Sequence, residues 1–137
     1  MKKVILICLL FISFSCSKEL QEQADELKVS PPAWLHGSWN NKDETSENKG
    51  WKFTPNEVIE IDNDGNEMSL MSVNLVLAGL TGENITVKEF EGTTSYSILI
   101  KGETFSKSYD FSRISSVEMS WDNAPPFNAP EIFLKSN

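Results

Sequence analysis

The hydrophobic pattern of the chain changes twice. Residues 4–14 are almost wholly apolar, behind the basic Met1-Lys2-Lys3, and Ser15-Cys16 closes that run with small residues. Residues 17–30 are polar with few large apolar side chains. From Pro31 onward, short stretches alternate apolar and polar positions between turn-forming residues, the period-two signature of half-buried strands. Residues 34–39 (WLHGSW) are expected as the first strand, with Leu35, Gly37 and Trp39 on one face. Stretches 50–54, 58–61, 85–90, 94–101, 105–111, 115–121 and 131–135 follow in the same manner. Between them lie a charged loop at 40–49, turns at 55–56, 62–65, 91–93, 102–103 and 112–113, and a proline-rich loop at 122–130. Turn signals at roughly 8 to 12 residue intervals mark an antiparallel sandwich or barrel.

Residues 68–80 (MSLMSVNLVLAGL) fit two patterns. Ser69 can cap a helix and Gly79 can end it. Met71, Val73, Leu75 and Leu77 also alternate as a strand would. Periodicity leaves both open; a short helix that plugs or lids the barrel is preferred, mostly buried in either case. Its two methionines suit core packing or a flexible wall facing a ligand. The expected fold is all-β: an antiparallel up-and-down barrel of about eight strands with a short helix around 68–80. About eight strands close a barrel that is just filled or holds one small ligand.

The leading apolar run is shorter than the roughly 20 residues that span a bilayer, and it has the length of a secretory signal core. Ser15-Cys16 resembles the lipobox of bacterial lipoproteins. That resemblance implies cleavage before Cys16, lipidation of Cys16, and anchoring to the outer membrane of a bacterial cell envelope. The expected organisation is a signal peptide at 1–15, a lipidated Cys and flexible tether at 16–30, and one barrel domain at 31–137. Two or more acyl chains give stable anchoring. Cys8 is the only other cysteine, so a chain starting at Cys16 has no disulfide. The net charge is −8, and without Lys2 and Lys3 ten basic residues face twenty acidic ones. This balance disfavours nucleic acid and anionic lipid and permits a basic protein partner.

Gly37-Ser38-Trp39 on the first strand, followed by about eight antiparallel strands, resembles the lipocalin and fatty-acid-binding-protein group. The small lipocalin-like domains of bacterial lipoproteins are closer still. The motifs are Trp-Leu-x-Gly-x-Trp at 34–39, Trp-x-Phe-Thr at 51–54, Thr-Ser-Tyr-Ser-Ile at 94–98, Tyr-Asp-Phe at 109–111 and Phe-Leu-Lys at 133–135. The resemblance implies that Trp39 closes one barrel end beneath a cation from Lys135 or Arg113, with Gly37 allowing close approach beside the ring. The domain is shorter than a full lipocalin and lacks a helix after its last strand. A barrel filled by its own side chains therefore stands beside an open calyx.

Little in the chain points to catalysis. His36 is the single histidine, no Gly-x-Ser-x-Gly occurs, and the acidic residues are scattered. Asp62-Asn63-Asp64-Gly65 places its glycine fourth, where a calcium loop needs it sixth, and reads as a turn. The expectation is a protein that is not an enzyme and carries no cofactor and no metal. Two functions remain. One is a binder of a small apolar ligand among Trp51, Phe53, Met71, Tyr96, Phe105 and Met119. The other is a filled barrel that meets a protein, for example a basic one such as an attacking lysozyme, through Trp34, Trp121 and the Pro125-Pro126-Phe127 loop.

Overall fold

The computed structural model describes residues 27–136; the expected signal segment, Cys16 and the tether up to residue 26 lie outside them. The strands are β1 (Gly37–Asn41), β2 (Gly50–Thr54), β3 (Glu57–Ile61), β4 (Glu67–Ser69), β5 (Thr86–Glu91), β6 (Ser95–Lys101), β7 (Ser106–Arg113), β8 (Glu118–Ala124) and β9 (Ala129–Lys135). Among the described residues one helix, α1 (Leu70–Thr81), joins β4 to β5. All nine strands form one antiparallel sheet in the order β4-β3-β2-β1-β9-β8-β7-β6-β5. The meander is up-and-down, with β1 stitched to β9 through Trp39 opposite Lys135 and Asn41 opposite Phe133. The sheet ends at β4 and β5, and α1 connects those two edges.

The expected all-β antiparallel fold with a short helix is what forms, with nine strands and as a strongly curled half-barrel. The extra strand, β4, has three residues, too few to leave an alternation. The curl shows in the rings. β2 and β7 are four strands apart, roughly 19 Å across a flat sheet. Yet the ring centroids of Trp51 on β2 and Phe111 on β7 are 5.2 Å apart, edge to face. The sheet has folded its inner face onto itself, and these rings are the core.

Register explains which residues look inward. Trp51 lies opposite Trp39, Tyr96 opposite Phe111, Ile98 opposite Tyr109, and Met119 opposite Phe133. All eight are buried. One face of the sheet is thus aromatic and aliphatic, while Ser108, Asp110, Ser112 and Asp122 on the other bond among their neighbours.

Four sequence expectations need correction. The first strand begins at Gly37, because residues 33–35 form a turn in which Leu35 N–H donates to Pro32 O at 2.9 Å. His36 thus sits in the turn, its ring nitrogen 2.8 Å from Pro31 O. Second, the tether ends sooner than Ser30. Leu27 and Val29 are buried in the core, and Ser30 N–H donates to Glu89 on β5 at 2.6 Å. Third, α1 starts where Ser69 caps Ser72 N–H but runs through Gly79 to end at left-handed Gly82. It is also less buried than expected: Val73, Val76, Leu77 and Leu80 are exposed. Fourth, β8 and β9 extend into the proline-rich loop until Ala124 pairs with Ala129. A shift between Trp121 and Ala124 breaks the simple alternation there, and Met119, Ser120 and Trp121 are all buried.

Candidate functional site

The antiparallel meander sorts the connections to two ends. The chain's turn at 33–36 and the β2–β3, β5–β6 and β7–β8 turns share one end. The β1–β2 loop, the β3–β4 and β6–β7 turns, the link from α1 to β5 and the β8–β9 hairpin share the other.

At the first end, Trp39 is fully buried and its indole N–H donates to Leu35 O at 2.6 Å. Lys135 Nζ stands 5.1 Å from the Trp39 ring centroid. Of the two cations expected there, Lys135 takes the position; Arg113 instead donates to Ser115 O at 3.3 Å in its own turn. Gly37 has φ +118°, and a Cβ on it would stand 3.2 Å from Lys135 Cε. Its missing side chain is the space through which the lysine stem crosses.

The middle of the half-barrel is full. Trp51 meets Phe53, Tyr109, Phe111 and Trp121 with centroids 5.0 to 6.3 Å apart. Leu27 and Val29 belong to the same buried cluster. Of the six ligand candidates, Trp51, Phe53, Met71, Tyr96 and Met119 are buried in this core. Phe105 alone of the six lines the cleft beside α1. Of the expected protein-contact aromatics, Trp121 is core, Trp34 is half-buried, and Phe127 is exposed at the hairpin tip.

The β1–β2 loop covers part of the second end. Its Asn48 donates to the inward-facing Glu60 at 2.9 Å, and Ser46 and Asn41 donate to Glu131 at 3.1 and 2.7 Å. Asp62 spends its carboxylate on the N–H groups of Asp64 and Asn66, at 2.9 and 2.8 Å, and on the Asn66 side chain. Those bonds, the Asn66 side chain foremost, hold its pKa below the ordinary value. Asp62 is a turn former here, as its sequence context suggested.

Beside the β1–β2 loop opens a cleft of about 300 Å³ between α1, β3 and the β6–β7 turn. Met68, Val73, Leu77 and Phe105 form apolar walls, and Glu60, Lys107 and Tyr109 supply polar groups. Glu83 closes one side. Its carboxylate accepts from the Thr104 hydroxyl and from Glu103 N–H at 3.0 Å, clasping the α1–β5 link to the β6–β7 turn. Those bonds, Thr104's first, lower the Glu83 pKa.

Tyr109 is 2 % exposed, and its hydroxyl has no hydrogen-bond partner among the described residues. Burial first, then the Glu60 charge, pushes its pKa up, so it stays a protonated donor. Lys107 Nζ stands 4.8 Å from the Tyr109 ring centroid and makes no ion pair among the described residues. Against Tyr109 pack Trp51 and Trp121, whose buried indole N–H groups are also unpartnered. Neither indole lines the cleft, so its polar side offers Tyr109 and Lys107 as donors. Sequence reasoning passed over Lys107 and Tyr109. Their spacing on one face of β7 was readable, but their place at the rim depended on where the sheet ends.

No family model, curated protein or solved structure matches the chain.

Proposed function

We propose that this is a lipid-anchored, lipocalin-like binding protein of the bacterial cell envelope whose cleft holds a small amphipathic molecule. Its apolar body lies on Val73, Leu77 and Phe105, and its polar end meets Tyr109 and Lys107. One observation carries the reading: an apolar cleft of about 300 Å³ with Tyr109 and Lys107 on its polar side. That volume is at the lower edge of ordinary small-molecule sites, which are roughly 300–1,000 Å³. A ligand acceptor at the Tyr109 hydroxyl would gain one hydrogen bond, worth about 0.5–1.5 kcal/mol. His36 is engaged at the opposite end of the half-barrel, bonded to Pro31 O. The Cys16 anchor rests on the lipobox resemblance alone.

Native mass spectrometry of the protein released gently from membranes tests the cleft. The expected result is a retained mass that organic denaturation removes. Tyr109→Phe should weaken retention two- to tenfold, the worth of one hydrogen bond of about 0.5–1.4 kcal/mol. Leu77→Trp, which fills the cleft, should abolish it. A clean apo mass, unchanged after incubation with membrane extract, refutes the reading. It would favour the second one, a protein-interaction module with a basic partner. The full interior and Phe127, 86 % exposed at the β8–β9 tip, support that alternative.

A further inference from the structure

α1 has two apolar faces. Leu70, Met71, Asn74 and Ala78 pack inward. Val73, Val76, Leu77 and Leu80 stand at i, i+3, i+4 and i+7 and point out, from 41 % exposed at Val73 to 80 % at Leu80. Residues 68–82 contain no charged side chain, in a chain where 23 % of residues are charged. A solvated helix face is not built this way. A helix apolar all round is covered all round, and the core covers only one side of α1.

The chain's own layout indicates the cover. Ten residues separate Cys16 from Leu27. A flexible segment of that length spans about 18 Å, comparable to the radius of a domain whose radius of gyration is about 13 Å. The chain joins the domain on the α1 side. Ser30 is bonded to Glu89 on β5, the edge strand that follows α1. An acylated Cys16 would keep the bilayer within about one domain radius of the stripe. A second copy fits less well. Four side chains fall far short of the roughly 20 residues a side of a stable interface, and each anchored copy would carry ten basic against twenty acidic residues. The same charge and the lack of Lys or Arg on α1 exclude attraction to anionic headgroups. With 12 residues, α1 is also too short to span a bilayer.

We propose that α1 is the face on which the anchored domain lies against the membrane, with Val76 and Leu80 entering the headgroup–acyl boundary of a zwitterionic bilayer. This rests on the Cys16 anchor. It also gives the cleft a source of ligand. Val73 and Leu77 belong both to the stripe and to the cleft wall, so an amphipathic molecule passes from lipid to cleft along continuous apolar surface.

The test uses the full chain, processed in a lipoprotein-making host and reconstituted into phosphatidylcholine vesicles. A polarity-sensitive fluorophore is attached at Leu80→Cys, or at Leu134→Cys on β9, the central strand of the sheet. Both positions are exposed, and circular dichroism checks the fold. The expected result is blue-shifted emission at position 80, quenched at least twofold by nitroxide-labelled lipid, with neither effect at position 134. Vesicle-bound protein whose position 80 is not quenched overturns the docking and leaves the anchor standing. A blue shift at 80 without lipid quenching also overturns it, and assigns the stripe to contact with another copy of the chain. Protein that fails to float with the vesicles overturns anchor and docking together.

Discussion

Gly37→Ala is the substitution that most directly tests why the Gly-x-Trp motif exists. The backbone at Gly37 has φ +118°, well outside the regions open to residues with a Cβ. Holding alanine there costs about 1–3 kcal/mol of strain. The smaller conformational entropy of the unfolded chain returns about 0.4–1 kcal/mol. The new Cβ would also stand 3.2 Å from Lys135 Cε, tight enough to push the lysine stem aside. Displacing Nζ from the Trp39 ring forfeits about 0.5–1 kcal/mol. The net expectation is a loss of about 1–3 kcal/mol, read as a lower urea midpoint with unchanged slope by tryptophan emission. A double-mutant cycle with Lys135→Ala separates the two causes. Contact with the stem disappears when the stem is gone, while backbone strain does not, so the coupling should be about 1 kcal/mol or less and most of the loss should persist. If Gly37→Ala lies within about 0.5 kcal/mol of the parent, the strain argument fails. Should Lys135→Ala rescue it fully, the glycine serves the lysine alone.

Two further predictions follow from burial. Val29→Ala, at a position with no solvent exposure, should cost about 1–3 kcal/mol in chemical denaturation, whereas a residue in a solvated linker would change stability by less than about 0.5. The chain's two tyrosines, Tyr96 and Tyr109, are both buried, and Tyr96 donates its hydroxyl to Glu89. Desolvation first, then the nearby carboxylates, raises both pKa values, so the folded state favours the neutral phenols. Their contribution to stability is complete below the ordinary tyrosine pKa of about 10 and is lost as pH rises above it. Phenolate absorbance should therefore appear only together with alkaline unfolding seen by circular dichroism. A phenolate signal with a midpoint near 10 in protein that remains folded would contradict this placement.

The strands were legible because one inner face is nearly unbroken. Tyr96-x-Ile98-x-Ile100 and Tyr109-x-Phe111 sit on opposed registers, and period two survives in the sequence. The helix was legible through Ser69, a good cap before a run without charge. Its end was misread because Gly79 is merely tolerated inside the helix, while Gly82 adopts the left-handed turn and returns its N–H to Ala78 O. The first strand was misread because Trp34-Leu35-His36 alternates by chance while turning; only the Trp39 N–H bond to Leu35 O reveals the turn's purpose. Leu27 and Val29 were hidden because two apolar residues in a polar stretch carry no period. The cleft was hidden for a different reason: Glu60, Leu77, Phe105 and Tyr109 come from four elements and meet only where the sheet stays open.

That opening ties the fold to its proposed use. A closed barrel with this much aromatic volume would have no room for a guest, since the rings of β2 already meet those of β7. Leaving β4 and β5 unpaired costs the hydrogen bonds between two edges. It gains a short wall, α1, that need not obey the sheet's alternation. A strand in that place would have to show polar residues on its outer face and carry a ladder to both neighbours. A helix can instead be apolar toward the core, toward the cleft and toward the outside, as residues 70–81 are. The half-barrel thus places the ambiguous, uncharged segment 70–81 where the sheet stays open, and both proposed contacts, with ligand and with lipid, use that segment.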